Sequence, residues 1–274
     1  MKTNILVIVG LLMSLSSFSQ NFVNNVQDPI GMILISGGTY TFEVGPRLIR
    51  DVKVDDFWMS NEISNKEFRK FYEDITNNPN DTITWVDFSK MKTNKRTSDD
   101  KMIKPVVVKE AYKDISPKII DLSASNSIPN KENYFTDSKY DNYPVVGVTY
   151  YGAMYYCIWR SDQENNSNAK GENLQDYRLP TRYEWLNVPR VNTDYQPGLH
   201  EVQKGEKNGL GLFNMNSNVS EWTSTSYEND DHVSKFVMGW SWKSDSRSLI
   251  SEQVSAEKAT DYIGFRIVKS SMNK

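Results

Sequence analysis

The chain has 274 residues, 38% of them hydrophobic and 24% charged, enough to bury one sizeable core, and irregular α+β domains of this length often stay single. A formal charge of −3 gives no bulk attraction to nucleic acid or to acidic membrane surfaces. The single cysteine, Cys157, excludes an internal disulfide, and the 7 Trp, 15 Tyr and 11 Phe suit a core filled by large rings instead of long aliphatic helices.

The N-terminus reads as a secretory signal: Lys2 gives a positive start, Ile5 to Leu12 an apolar run, and Ser17 and Ser19 small residues just before Gln20. Residues 1–19 are therefore expected to be a signal peptide and residues 20–274 a single exported domain. The apolar run is short for a permanent span, although an uncleaved anchor is the alternative. With no cysteine near the cleavage site, lipidation there is not expected. The expected place is periplasmic or outer-membrane associated, with no stable membrane anchor.

Residues 31–42 alternate apolar and polar around Gly37 and Gly38, predicting two short strands meeting at a turn. Val52 to Met59 reads as another strand, and Ser64 as the N-cap of a helix carrying Phe68, Phe71 and Tyr72 on one face. Residues 77–140 are rich in Asn, Asp, Lys and Ser and predict a long, partly irregular, variable insertion on the surface. Its piece from Lys90 to Lys104 is a solvated loop or a partner-binding arm. Order returns at Tyr143 to Val148, with Thr149 capping a helix through Ala153, Tyr156, Cys157 and Trp159. In the segment from Arg178 to Thr181, Pro180 fixes an extended approach and Thr181 caps a helix presenting Glu184 and Trp185. Gly239 and Gly264 mark places where a strand bends or another backbone comes close. Short ordered segments with mixed periods give the class α+β, with little regular secondary structure.

Six segments in this order carry a resemblance: Ile35 to Tyr40 (ISGGTY), Phe57 to Ser64 (FWMSNEIS), Pro144 to Val148 (PVVGV), Arg178 to Trp185, Gly211 to Trp222, and Gly264 to Arg266 (GFR). Together they resemble the sulfatase-modifying-factor family, whose formylglycine-generating-enzyme fold is an irregular, C-type-lectin-like architecture. A looser likeness, through Asp81 to Phe88, Tyr134 and Phe135, Tyr140 to Val148 and Cys157 to Arg160, is to the gliding-motility and type IX secretion lipoproteins K and J of Bacteroidota. The missing lipidation cysteine departs from those lipoproteins.

The resemblance has consequences for chemistry. The family's enzymes bind copper through two cysteines placed after a strand that corresponds here to Gly239 to Leu249, and this stretch has no thiol. Soft thiolates are what hold Cu(I), so no copper and no formylglycine chemistry are expected. Cys157, mid-helix, reads as a small buried hydrophobe. His200 and His232 lie in polar stretches and read as solvent-facing. The resemblance further implies a structural calcium on Asn214, the main chains of Ser217 and Val219, and Glu221, the alternative being that Glu221 only caps or salt-bridges the loop. Ser217 stands where the family has Gly, which would strain the turn. Trp240, Trp242 and Tyr227 either line a groove or belong to the core, and Lys243, Asp245 and Arg247 either make polar contacts on the former active-site face or are edge charges.

Three functions follow. The first is a non-catalytic interaction or scaffold module with protein partners in the cell envelope, accessory to type IX secretion or gliding. The second is an oxygen-dependent periplasmic enzyme of the same fold with different chemistry. The third is a module binding peptide or glycan.

Overall fold

The computed structural model describes residues 29, 31–45, 48–87, 106–167, 177–190, 198–205, 207–227, 233–244 and 251–271. The stretch expected to be a signal peptide, the Lys90 to Lys104 piece, His232, Asp245 and Arg247 lie outside these.

The opening strands are β1 (Met32–Ile35), β2 (Gly38–Gly45), β3 (Leu48–Val54) and β4 (Phe57–Glu62). The run expected as one strand from Val52 to Met59 is thus two. It breaks at Asp55 and Asp56, where the Asp56 carboxylate accepts from the Gly37 amide at 2.7 Å and turns the chain. Strands β1 and β2 both form, but they pair elsewhere: β1 with β4, and β2 with β3.

Helix α1 (Asn65–Asn77) starts at Ser64 with a reciprocal capping box to Glu67, as the sequence predicts. It buries Phe68, Phe71 and Ile75. Helix α4 (Tyr150–Ser167) starts at Thr149, whose hydroxyl accepts from the Gly152 amide at 3.0 Å. The two helices meet through rings: Tyr156 stacks on Phe68 with centroids 5.8 Å apart, and the Trp159 indole donates to Asp74 at 2.7 Å. Phe265 closes this aromatic core edge-on to both Phe68 and Tyr156.

Between these helices lie β5 (Thr82–Asp87), β6 (Val106–Ala111), α2 (Tyr112–Ile115) and α3 (Leu122–Ser125). This is the stretch expected as a surface insertion; much of its described part is exposed, but it also sends apolar side chains into the core. Ile83, Ile115 and Ile119 are fully buried in the cluster built by α1 and α4, and Phe135 joins them. Isolated apolar residues in a polar context are buried here by tertiary placement, which local texture does not signal.

The remaining elements are β7 (Tyr177–Arg178), α5 (Arg182–Asn187), β8 (Ser220–Ser226), β9 (Ser234–Met238), β10 (Ser251–Ser255), β11 (Ile263–Gly264) and β12 (Arg266–Ser270). Among the described residues they build one four-stranded sheet in the order β1-β4-β12-β7 and another in the order β10-β9-β8-β11. The chain steps from the second sheet to the first across the single residue Phe265. Gly264 permits the step: a Cβ there would lie 2.7 Å from the Val145 carbonyl. Gly239 likewise takes φ +85 under the Trp185 ring. A bulge between Arg266 and Val268 then sets Arg266 opposite Glu62.

Candidate functional site: a buried carboxylate–guanidinium cluster

The loop from Gly198 to Trp222 runs between the two sheets, and its polar side chains converge on one buried charge cluster. Arg266 from β12 is 0% exposed and Glu221 from β8 is 1% exposed. The guanidinium grips Glu221 through both oxygens, Nε to Oε2 at 2.7 Å and Nη2 to Oε1 at 2.6 Å. Its remaining bonds go to the carbonyls of Ser60 and Phe213, at 3.1 and 3.2 Å. The Trp185 indole donates a further bond to Glu221 Oε2 at 2.7 Å. The pair therefore ties the two sheets and α5 together.

A second carboxylate, Glu62 of β4, is 2% exposed beside this pair. It accepts from Asn214 Nδ2 at 2.8 Å and from Asn218 Nδ2 at 3.1 Å. Burial pushes its carboxyl well above the usual range; Arg266 opposes the shift and Glu221 adds to it. Both asparagines adopt left-handed backbone, with φ +56 at Asn214 and φ +71 at Asn218, a conformation asparagine tolerates better than most side chains. Ser217 is not left-handed, so the strain expected from its replacing Gly does not arise there.

His200 completes the cluster, contrary to the expectation that it faces solvent. Its amide donates to Asn218 Oδ1 at 3.0 Å, and its ring places Nε2 3.0 Å from Asn214 Oδ1 and Nδ1 3.3 Å from the Gly198 carbonyl. Sequence reading missed Glu62 as a partner because its contacts lie across the fold, 156 positions from Asn218, and missed His200 because the fold of its own loop, not any local signal, turns it toward Asn214.

Of the four residues expected to hold calcium, the structure brings Asn214 and Glu221 to this cluster with their side-chain oxygens already engaged. Asn214 Oδ1 faces His200, and Glu221 is held through both oxygens by the Arg266 guanidinium. The Ser217 carbonyl accepts from the Val219 amide at 3.0 Å. These residues do not fit the ion in the manner the resemblance implies. Glu221 does make the salt bridge that its alternative role describes, with Arg266 at 2.6 Å.

The residues expected on the former active-site face divide. Trp242 is half-buried, packs on the cluster of Tyr134, Tyr140 and Val219, and donates its indole N–H to the Asp261 carbonyl at 3.0 Å. Trp240 is half-buried, and Tyr227 sits edge-on to Phe236 at 5.9 Å. Lys243 is ion-paired with Asp261 at 2.8 Å, its ammonium lying over the Trp242 ring. An open groove of about 900 Å³ between hairpin β2–β3 and α5 is lined by Lys53, Asp55, Arg178, Thr181 and Glu184, and by none of these expected residues.

Cys157 lies on α4 with 2% exposure, and burial pushes its thiol far above the usual range. It is remote in sequence from the Gly239 to Leu249 stretch and has no second thiol to pair with. Among the described residues no helix is long and apolar enough to cross a membrane.

Comparison with known proteins agrees with this architecture. The chain is similar to the solved structures of CarF (17% identical, TM-score 0.53, covering 89% of this chain and 99% of that one) and of PvdO from Pseudomonas aeruginosa (14%, TM-score 0.51, 88% and 94%). It is also similar to Treponema denticola variable protein 1 (15%, TM-score 0.50, 88% and 95%). At these identities the likeness establishes the fold. A curated relative, the inactive C-alpha-formylglycine-generating enzyme 2 of Bos taurus, is 25% identical over 148 residues, which is 45% of this chain and about half (49%) of that protein. The family model of the sulfatase-modifying factor enzyme 1-like domain matches residues 17–198 and 187–271. The chain therefore belongs to the sulfatase-modifying factor enzyme 1-like family and has its irregular α+β fold.

Proposed function

We propose that this protein is a non-catalytic interaction module of the cell envelope, accessory to type IX secretion or gliding motility. The observation that carries the non-catalytic half is the thiol inventory: the family's copper chemistry needs two cysteines, and this chain has one, buried in α4. Similarity to a relative that is itself named inactive supports the same reading. The envelope half rests on the signal-like N-terminus and on the likeness of residues 81–88, 134–135, 140–148 and 157–160 to the K and J lipoproteins.

Cross-linking in intact cells followed by affinity purification of the tagged full-length protein tests the proposal. Recovery of a secretion or motility subunit, together with no formylglycine formed on a cysteine-containing peptide, is the expected result. Conversion of that peptide, or cross-linked complexes that contain no such subunit, overturns it.

A further inference from the structure

The loop from Gly198 to Trp222 is built around the position where the resemblance implies an ion, and its donors are used differently. Calcium takes about 6–8 oxygen ligands at roughly 2.3–2.6 Å, so every donor must turn a free lone pair toward one point. Asn214 turns Oδ1 toward a ring nitrogen of His200 and Nδ2 toward Glu62, so its two ends are committed to opposite partners. Gly205 closes over that contact with φ +103: a single added carbon would lie 2.6 Å from Asn214 Oδ1 and 2.7 Å from His200 Nε2. No side chain could therefore replace Gly205 without displacing the contact between Asn214 and His200. On the other side, Glu221 already accepts two bonds at Oε2 and one at Oε1, from Trp185 and Arg266.

We propose that protein side chains hold this loop in the place of a divalent cation, with Arg266 clamping Glu221 and His200 clamping Asn214 beneath Gly205. The functional difference is in linkage. A metal-held loop makes folding depend on free metal concentration by mass action, whereas a loop held by side chains is equally stable with and without it. The chain would then keep its fold in compartments where calcium varies or is chelated.

Thermal unfolding of the full-length protein tests this in two arms. After treatment with EDTA, addition of millimolar calcium is expected to move Tm by less than about 1 °C, which for a domain of this size is well under 1 kcal/mol. A rise of more than about 3 °C, or stoichiometric calcium retained through gel filtration and detected by elemental analysis, overturns the proposal. In the second arm, His200→Leu removes the donor from Asn214 and is expected to lower Tm by about 2–8 °C, while His200→Gln, which retains an N–H at similar reach, recovers most of the loss. Equal Tm values for His200→Leu and wild type also overturn it. The first arm uses unaltered protein, so it holds even if a variant fails to fold.

Discussion

Glu62 and Arg266 stand directly opposite each other on β4 and β12, yet the guanidinium hydrogen-bonds Glu221 and two carbonyls, leaving Glu62 to two asparagine amides. Of two buried carboxylates, only Glu221 is bonded directly to the cation. The carboxyl left without it bears the desolvation cost of charge, and its folded-state pKa rises well above the ordinary 4.5.

This gives a pH dependence of defined sign. A carboxyl whose pKa is higher when folded contributes stability that is full below the ordinary value and is lost as pH rises through the raised one. Glu62→Gln should abolish that decline, so the stability difference between variant and wild type should move in the variant's favour as pH increases from 4.5. Urea denaturation of both proteins across this range measures it; parallel profiles would show that Glu62 ionises normally.

Breaking the Glu221–Arg266 pair from one side leaves a buried charge without a partner. Arg266→Met and Glu221→Gln should each cost about 3–5 kcal/mol. The double replacement Glu221→Leu with Arg266→Met should cost less than the sum of the single losses, because no charge then remains unpaired. A double-mutant cycle by denaturant titration gives the coupling, and simple additivity would contradict a direct pair.

Gly264→Ala should destabilise by about 1–3 kcal/mol, since its new methyl meets the Val145 carbonyl, a backbone atom that cannot rotate away. Gly209→Ala, with open space around its Cβ, is the control expected to be near neutral. Equal effects at both positions would mean that β11 can shift to admit the side chain.

Cys157 should resist thiol reagents in the native state, because burial raises its thiol far above the usual range and leaves no exposed sulfur. Labelling followed by mass spectrometry is expected to proceed only with denaturant, at the pace of unfolding. Rapid native modification would give this thiol a chemical role that its packing denies.

Features with local causes were legible in the sequence. Ser64, Thr149 and Thr181 cap helices as read, because a cap is decided within four residues of chain. Gly239 and Gly264 were read as places where a strand bends or a backbone comes close, and Gly264 does lie against the Val145 carbonyl. What escaped was decided by tertiary placement: Asp56 breaking a strand by reaching back to Gly37, Ile115 and Ile119 burying under α1 and α4, and the loop bringing a half-buried His200 to Asn214. Strand β10 escaped too, since its sequence SEQVS buries only Val254 and offers no alternation to read.

The crossing at Phe265 has a bearing on how the molecule is made. Strand β11 forms an edge of one sheet and β12 lies in the interior of the other, so residues 263–270 complete both. Strands β4 and β7 are joined in their sheet only through β12, and β8 takes β11 as its neighbour from the same stretch. Pairing of such high sequence separation is slow. Both sheets are completed by one short stretch, and removing residues 263–270 would leave strand edges open in each of them at once.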